Sequence, residues 1–595
     1  MLPIWNLSGR KLSTKQKHCC PSWKNFRNSL QNSSMTTDKQ GINHLVKICT
    51  EKGLEKVIIS PGSRNAPLTI AFNRSPLIDC LSIVDERSAG FFGLGIAQQS
   101  QKPVGLVSTS GSAALNYAPA IVEAYYQHQP LVVMTADRPH EWIDQGESQV
   151  IRQKGIFSNY IKGSFEIPQD ITDKDDLWYH DRIISEAFNL AMTAPMGPVH
   201  INVPFKEPLY QEVEEVETNP KIISKLKTSS ILDAAIIKEL KEEWKSYSKK
   251  IILAGVLPKN SHLNDLINKL GEDPSVVVLT ETTSNLYGKR FIQCIDKVIA
   301  TIQVEEESKF RPQLLVTIGD RIISKMVKAV MRKNGRFENW HIDESGHALD
   351  TFQNLSKIIP LKPEDFFAEL VKIETNTDSD FRNLWVDRYC ISEEMHMRYL
   401  KKTEYSDLKV FEAILEKLPT GVNLQMANST PVRYVQLFRQ REDLTFNSNR
   451  GTSGIDGCTS TAAGAAYIQD DLTVLVTGDL GFFYDSNALW NAHLKPNLKI
   501  IVINNSGGGI FRFIDGPSTL PELEEFFETS HNYPAEGIAR SFNILYQSCR
   551  DLNSLIEQLN KFFSLKDRPE ILEIFTPNEK NGEILKNYFK NLKRQ

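Results

Sequence analysis

The chain has 595 residues, of which 41% are hydrophobic and 24% charged, the composition of an ordinary globular protein with roughly three or four domains. Lys and Arg number 69 against 73 Asp and Glu. The resulting net charge of -4 excludes the basic excess that a general nucleic-acid binder or a polybasic membrane clamp needs. No run of about 18 apolar residues occurs, so we predict no membrane span.

The eight cysteines are scattered and include no C-x-x-C pair. This spacing argues against a disulfide framework and against a zinc site. A sparse set of this kind favours the reducing cytoplasm as the location of the protein.

Residues 1–34 form a basic leader with six Lys or Arg residues and no acidic residue. The segment lacks the continuous apolar stretch of a signal peptide, whereas an organelle transit peptide has a similar composition. We favour a simpler interpretation, in which residues 1–34 are a disordered or non-native leader and Met35 is the start.

Three blocks beyond the leader alternate short apolar, β-branched runs with amphipathic stretches, which is typical of parallel α/β domains. The first block has its runs at residues 57–59, 81–84, 104–107 and 131–134. The second block has them at 251–256, 276–279 and 314–318, and the third at 474–476, 499–503 and 571–574. The charged stretch 374–402 is predicted to be a linking helix or arm. We therefore predict three parallel-sheet domains.

Polar residues follow the strand-like runs of the first and third blocks, and ligands of open α/β sheets bind at the carboxyl ends of strands. Asp479 and Asn505 follow two such runs in the third block. Their carboxylate and amide oxygens are ligands that Mg²⁺ prefers, and Gly507 leaves a backbone carbonyl free to join them. A helix is expected after Asp485, with its N-terminus toward a phosphate.

The pair Gly478-Asp479 and Asn504-Asn505 resembles the signature of thiamine diphosphate (ThDP) enzymes. The third position, Leu480, is a glycine in most of those enzymes but not in the 2-succinyl-5-enolpyruvyl-6-hydroxy-3-cyclohexene-1-carboxylate (SEPHCHC) synthase family of menaquinone biosynthesis. The following blocks are also similar to that family: Ser60-Pro61-Gly62-Ser63-Arg64, Asp85-Glu86-Arg87, Thr135-Ala136-Asp137-Arg138-Pro139, Gln149-x-Ile151-Arg152-Gln153 and residues 448–457.

The resemblance implies the pyruvate-decarboxylase-like architecture of three domains. These are a pyrimidine-binding domain at 35–215, a central domain with its linker at 216–400 and a diphosphate-binding domain at 401–595. The implied cofactors are ThDP and Mg²⁺ or Mn²⁺, and the implied metal ligands are Asp479, Asn505 and Gly507. The residues matching Glu86 and Asp479 come from different subunits in related enzymes, so a homodimer or homotetramer is implied.

Glu86 resembles the glutamate that bonds the pyrimidine N1′ of ThDP and promotes the reactive tautomer of the cofactor. Apolar neighbours are expected to raise the pKa of its carboxyl. Ile455, a lone apolar residue in a Gly-rich loop, resembles the side chain that holds the two cofactor rings in a bent arrangement.

The family's substrates, 2-oxoglutarate and isochorismate, are both dianions, and planar guanidinium groups bind carboxylates well. The resemblance therefore implies a substrate site whose charged, polar and apolar members are Arg64, Arg138, Arg433, Arg450, Lys325, Ser63, Gln149, Ser429 and Phe511. Some family members have Arg after the residue matching Lys325, where this chain has Met326. The implied reaction decarboxylates 2-oxoglutarate and adds the remaining unit to isochorismate by 1,4-addition.

Three alternatives stay open at this point. The chain resembles other ThDP-dependent 2-oxoacid decarboxylases or carboligases, but a neutral acceptor would need fewer arginines. A non-catalytic protein with a ThDP-enzyme fold is disfavoured by the intact Glu86, Asp479 and Asn505. A nicotinamide-binding protein is suggested by Gly93-Leu94-Gly95, yet no full G-x-G-x-x-G follows a strand.

Overall fold

A computed structural model describes residues 35–215, 217–333, 335–374, 378–514 and 516–593. The predicted leader at 1–34 lies outside these residues. Each described block carries its own parallel sheet, which confirms the predicted fold class.

The N-terminal sheet has six parallel strands, which lie side by side in the order Asp79–Ser82, Lys56–Ile59, Val104–Ser108, Leu131–Asp137, Val199–Pro204 and Ser164–Glu166. Its helices are Gln40–Glu51, Ala66–Arg74, Glu86–Ser100, Ser112–Asn116, Ala118–Tyr126 and Lys174–Met192. A separate antiparallel pair joins Met35–Thr37 to Glu212–Glu214. Almost every residue of the inner strands is buried, as parallel sheets covered on both faces require.

The central sheet has five parallel strands in the order Val276–Thr280, Lys250–Ala254, Leu314–Ile318, Glu338–Ile342 and Leu355–Ile359. The helices of this domain are Ala234–Ser246, Ser261–Leu270, Ile295–Ala300, Lys325–Lys333 and Pro363–Leu370. The predicted linking arm contains the helix Phe381–Leu400, which packs on the central core through Phe381 and Trp385.

The C-terminal sheet repeats the strand order of the N-terminal sheet. Its strands are Thr445–Asn447, Asn423–Met426, Thr473–Gly478, Leu498–Asn504, Glu570–Phe575 and Leu545–Cys549. Its helices are Asp407–Lys417, Thr430–Val435, Cys458–Ile468, Asp479–Tyr484, Glu536–Ser541, Leu552–Phe562 and Asn578–Leu592. Within the described part of the chain, no helix is both long and apolar enough to cross a membrane.

Two local predictions were wrong. Val84 was expected in a strand, but the strand ends at Ser82 and Val84 is 43% exposed. The chain turns there because the Asp85 carboxylate accepts hydrogen bonds from the backbone N–H groups of Arg87 and Ser88 and so caps the next helix. The α-helix of this region begins at Asp479 and ends at Tyr484, and only the four-residue 3-10 helix Ser486–Leu489 follows Asp485.

The N- and C-terminal domains meet where the helices Glu86–Ser100 and Cys458–Ile468 cross. A Cβ atom at Gly95 would lie 2.0 Å from the Thr461 carbonyl oxygen, and one at Gly464 would lie 2.0 Å from the Phe92 carbonyl oxygen. Glycine is therefore required at both positions for the backbones to approach this closely. Gly95 belongs to the Gly93-Leu94-Gly95 match, which lies inside a helix and forms no dinucleotide-binding turn.

We expect Gly464→Ala to lower the free energy of unfolding by about 1–3 kcal/mol, because the added methyl group would overlap a backbone oxygen that cannot move aside alone. Chemical denaturation measures this loss. Gly537→Ala is the matched control, since a Cβ there meets nothing within 4 Å and the residue lies in a helix. Equal stability of the two variants would contradict the close crossing.

Candidate active site

Asp479 and Asn505 lie at the carboxyl ends of neighbouring parallel strands, as predicted. The strands Thr473–Gly478 and Leu498–Asn504 pair with Gly478 opposite Ile503. The Asp479 side chain is buried and accepts hydrogen bonds from the backbone N–H groups of Leu480 (2.6 Å) and Gly507 (2.9 Å). The structure thus brings Asp479, Asn505 and Gly507 to one edge of the C-terminal sheet.

The Asn505 amide has one side fixed and one side free. Its Nδ2 donates to the Asp407 carboxylate at 3.0 Å, and the residue is 4% exposed. Within the described residues, no side chain or backbone group donates a hydrogen bond to its Oδ1. The amide oxygen is therefore available to a cation.

Gly507 has a backbone φ of +146°, and a Cβ there would lie 2.6 Å from the Glu528 carbonyl oxygen. The turn therefore depends on glycine. Glu528 is buried and accepts two hydrogen bonds of 2.6 Å from the Arg512 guanidinium. These bonds join the segment around Glu528 to the loop that follows the strand Leu498–Asn504.

These residues fit a divalent cation whose coordination is completed by a ligand. In the described ranges, no group of three or more His, Cys, Asp and Glu side chains could hold a metal ion. A site at this edge must therefore combine the Asp479 carboxylate with amide and backbone oxygens and with oxygens of a bound molecule, as Mg²⁺ sites on phosphates commonly do.

The loop that carries Ile455 is clamped between domains. Glu123 of the N-terminal domain accepts hydrogen bonds from the backbone N–H groups of Gly451 and Thr452, both at 2.6 Å. Ile455 is partly exposed, and a Cβ atom added to Gly481 would lie 3.8 Å from the Ile455 Cβ. Ile455 therefore lies beside the helix that begins with Asp479.

Glu86 is the first residue of the helix Glu86–Ser100 and is partly exposed. Burial raises the pKa of its carboxyl above the ordinary value and Asp85 raises it further, whereas hydrogen bonds from its own backbone N–H and from Asn116 act in the opposite direction. The residues on either side of Glu86 contact the C-terminal domain, through Asp85 with Asn487 (2.6 Å) and Arg87 with the Tyr484 carbonyl (2.8 Å).

Arg64 and Arg138 share one carboxylate in the N-terminal domain. Arg64 donates to Glu207 at 3.1 Å, and the Arg138 guanidinium lies 3.9 Å from the same oxygen. Burial and the charge of Arg138 lower the pKa of Arg64, and Glu207 opposes this effect. Ser63, which is exposed, is hydrogen-bonded to Tyr210 at 2.7 Å.

Gln149 and Ser429 have left-handed backbones, with φ of 55° and 75°. Gln149 packs on Gly111, where a Cβ would lie 3.1 Å from the Gln149 Cα. Ser429 precedes the helix Thr430–Val435, which carries Arg433. Such backbones are costly for residues other than glycine and concentrate at functional sites.

A second cationic group forms between the central and C-terminal domains. Arg433 and Arg450 are electrostatic neighbours, and burial together with Arg433 lowers the pKa of Arg450. Lys328 joins them: burial lowers the pKa of its ammonium, Glu281 raises it, and Arg450 and Arg433 lower it further. We call Arg433, Arg450 and Lys328 the cationic cluster.

Two acids of the central domain support this cluster. Glu281 accepts hydrogen bonds of 2.6 Å from the backbone N–H groups of Ile323 and Ser324, and burial raises the pKa of its carboxyl to about 7. Asp296 accepts a hydrogen bond from the Ser324 hydroxyl and is an electrostatic neighbour of Arg433.

Lys325 is exposed at the start of the helix Lys325–Lys333, and Met326 packs against the cores of two domains. Lys328, one turn later, is an electrostatic neighbour of both Arg433 and Arg450. The Phe511 ring is partly exposed and lies 5.7 Å from the Phe527 ring, measured between centroids.

Sequence reasoning missed Lys328, Glu207, Asp407 and His531. His531 Nε2 lies 3.4 Å from the Asp479 carboxylate. Lys328 carries a detectable signal, because it lies three residues after Lys325 and so belongs to a neighbouring position on the same helix. The other three are far from their partners in the chain and carry no local motif.

Two family models match the chain. The model described as thiamine pyrophosphate enzyme, N-terminal TPP binding domain, matches residues 39–156. The model described as thiamine pyrophosphate enzyme, C-terminal TPP binding domain, matches residues 429–574. Both halves of a ThDP-binding fold are therefore present, and they contain Glu86 and Asp479 respectively.

Curated relatives narrow this assignment. The chain is 45% identical to 2-succinyl-5-enolpyruvyl-6-hydroxy-3-cyclohexene-1-carboxylate synthase of Flavobacterium johnsoniae. The similarity extends over 554 residues, which are 92% of this chain and 98% of the relative. The chain belongs to the SEPHCHC synthase family. The synthase of Flavobacterium psychrophilum is 44% identical (92% and 98% covered), and that of Porphyromonas gingivalis is 38% identical (93% and 97% covered).

Membership of the SEPHCHC synthase family confirms the resemblance seen in the sequence and makes the chain a ThDP-dependent transferase. It also removes the nicotinamide-binding alternative, in agreement with the helical position of Gly93-Leu94-Gly95.

Proposed function

We propose that this protein decarboxylates 2-oxoglutarate and adds the remaining four-carbon unit, through its former keto carbon, to the ring alkene of isochorismate, giving SEPHCHC and CO₂. This is a step of menaquinone biosynthesis. The observation that carries the choice of substrates is the gathering of arginines in two groups, Arg64 with Arg138 and Arg433 with Arg450. Arg138, Arg433 and Arg450 each have a buried Nε–H without an acceptor in the described part of the chain.

Buried donors without acceptors cost free energy. Arg87 and Arg182 also have such an Nε–H, so the inference that anions complete the site depends on the two groups, where these donors and like charges lie together. Two dicarboxylate substrates supply four carboxylates. A carboligase with a neutral acceptor, the alternative function, would leave much of this positive charge without a partner.

The cofactor of the proposal is ThDP with Mg²⁺ or Mn²⁺ on its diphosphate, held by Asp479, Asn505 and the Gly507 carbonyl. When bound, ThDP supplies a thiazolium that accepts the electron pair released by decarboxylation. Ile455 would contact the cofactor rings from the side of the helix Asp479–Tyr484, and Phe511 would contribute an apolar wall.

Glu86 carries the proton at the pyrimidine N1′ in this proposal. Burial raises its pKa, so the carboxyl stays protonated to higher pH than that of an exposed glutamate and can share its proton with N1′. Removal of the residue should therefore affect the chemical step more than cofactor affinity.

The substrate carboxylates bind in two groups. Arg64 and Arg138, with Ser63 and Gln149, form the N-terminal group, where the Glu207 carboxylate shows that both arginines can reach one anion. Arg433, Arg450 and Ser429 form the other, with Lys328 and Lys325 from the central domain. Some family members have an arginine where this chain has Met326. In this proposal, Lys328 supplies the positive charge that Met326 lacks.

A homodimer or homotetramer in the cytoplasm completes the proposal. Tyr484, Phe526 and Tyr533 are 54%, 69% and 70% exposed, and they flank the segments that carry Asp479 and Gly507. Exposed aromatic side chains of this kind mark interaction surfaces, and in this proposal a second subunit covers them. Within the described ranges, Cys49, Cys294, Cys390, Cys458 and Cys549 form no disulfide, which suits a reducing compartment. Sedimentation velocity tests the assembly, and a monomer at working concentration would contradict it.

The direct test of the function mixes purified protein with ThDP, Mg²⁺, 2-oxoglutarate and isochorismate and identifies the product by mass. SEPHCHC is expected, with one CO₂ released per product. CO₂ release from pyruvate, but not from 2-oxoglutarate, would favour the alternative carboligase.

Arg433→Ala is expected to raise KM for one of the two dicarboxylates by about 10- to 100-fold, since a hydrogen bond to a charged group contributes roughly 1.5–3 kcal/mol. Steady-state kinetics with each substrate varied in turn measures the change. Arg398→Ala is the control, because Arg398 forms an exposed ion pair with Glu394 on one helix. An unchanged KM for both substrates would remove Arg433 from the site.

A further inference from the structure

Asp407 is a buried carboxylate behind the proposed metal site. It is 2% exposed and begins the helix Asp407–Lys417. Its Oδ2 accepts from Asn505 Nδ2 at 3.0 Å, and its Oδ1 accepts from the Thr576 hydroxyl at 2.6 Å. Asn581 completes the network, since its Oδ1 accepts from the Asp407 backbone N–H at 2.9 Å and its Nδ2 donates to Thr576 at 3.2 Å.

This arrangement leaves the Asn505 amide one orientation. Both oxygens of the Asp407 carboxyl act as acceptors here, one from Asn505 and one from Thr576, so the group pairs with the NH₂ side of the amide. The amide oxygen must then point away from Asp407. Thr576 and Asn581 hold the carboxylate in place, so it cannot turn to release Asn505.

The neighbouring asparagine provides an internal comparison. Asn504 Nδ2 donates to Glu573 at 2.7 Å and to the Tyr533 carbonyl at 3.0 Å. Glu573 also accepts from the Ala535 backbone N–H and the Tyr546 hydroxyl, so this acid joins segments of the fold. The Asp407 carboxyl accepts fewer hydrogen bonds, from Thr576 and from Asn505, and Asn505 is the asparagine whose amide oxygen has no donor among the described residues.

We propose that Asp407 is a positioning residue that turns the Asn505 amide oxygen toward the divalent cation of the ThDP site. The inference rests on the proposed function, because it takes Asn505 as a metal ligand. Groups that hydrogen-bond to metal ligands fix their orientation and strengthen their binding, and their loss typically costs about 10- to 100-fold in metal affinity.

The test is Asp407→Asn. The introduced amide can donate as well as accept, so Asn505 is free to turn its oxygen away from the cation. Mn²⁺ titration with saturating ThDP, followed by electron paramagnetic resonance, is expected to show a Kd raised about 10- to 100-fold. The KM for Mn²⁺ should rise in parallel while kcat at saturating Mn²⁺ recovers, and the unfolding temperature of the cofactor-free protein should change little.

Glu573→Gln is the matched control, since it changes the buried acid that bonds Asn504. Its Mn²⁺ affinity should equal that of the unchanged protein even if its stability falls. Equal losses of Mn²⁺ affinity in both variants, or no loss in Asp407→Asn, would overturn the inference.

Thr576→Val provides a second variant if Asp407→Asn does not fold. It removes the hydroxyl that fixes Asp407, and a smaller rise in the Mn²⁺ Kd is expected; an unchanged Kd would contradict the inference. Failure of the unchanged protein to bind Mn²⁺ with ThDP would instead refute the proposed cofactor site, so the two failures are distinguishable.

Discussion

Glu86→Gln is expected to lower kcat by about 10²- to 10⁴-fold, the usual contribution of a general acid or base, while ThDP stays bound. Glutamine preserves the size of the side chain but cannot exchange a proton with N1′. Single-turnover kinetics measures the chemical step, and calorimetry with ThDP and Mg²⁺ measures cofactor affinity.

The pH profile gives this prediction a second readout. Burial raises the pKa of Glu86, so the protonated form persists to higher pH and is lost as pH rises through that raised pKa. The corresponding limb of the kcat profile should be absent from Glu86→Gln. Glu186→Gln is the control, because Glu186 forms an exposed ion pair with Arg182 on one helix. This change should leave both kcat and its pH profile unchanged. Near-normal turnover in Glu86→Gln would exclude Glu86 from proton transfer.

Asp479→Ala should weaken metal and ThDP binding together, by more than about 100-fold, since even residues that only support a ligand contribute 10- to 100-fold. Asp479 is the only acid among the three proposed ligands, so its loss leaves the diphosphate charge poorly compensated. Calorimetric titrations of ThDP with and without Mg²⁺ measure both affinities.

Asp479→Asn separates metal binding from folding, because its remaining oxygen can still accept from the Gly507 N–H that Asp479 bonds in the structure. It should show a smaller loss of the same kind. Asp470→Ala, at a fully exposed aspartate 3.9 Å from Lys495, is the control and should bind both ligands normally. Cofactor affinity that is equal in Asp479→Ala and the unchanged protein would refute the metal assignment.

The strands at the predicted runs were predictable because each contains a short apolar run, whereas Ser164–Glu166, Glu338–Ile342 and Thr445–Asn447 lack such a run and were not predicted. The run at 314–318 coincides with the observed strand, and the runs around 474 and 499 fall within observed neighbours. The same regularity predicted that Asp479 and Asn505 would meet, since parallel strands end at one edge. The site roles taken from the resemblance remain predictions.

The remaining contacts depend on tertiary structure. Asp407 lies 98 residues from Asn505, and Arg64 lies 143 residues from Glu207. No local pattern records such pairs, because the chain between them decides whether they meet. Met326 shows the same limit. The sequence revealed that a positive charge is missing at this position, but only the folded structure revealed that Lys328 is near Arg433 and Arg450.

The glycine crossing between Glu86–Ser100 and Cys458–Ile468 has a consequence for motion. Backbones that touch directly leave no side chains able to repack into a second arrangement. The two outer domains of a subunit should then behave as one stiff frame.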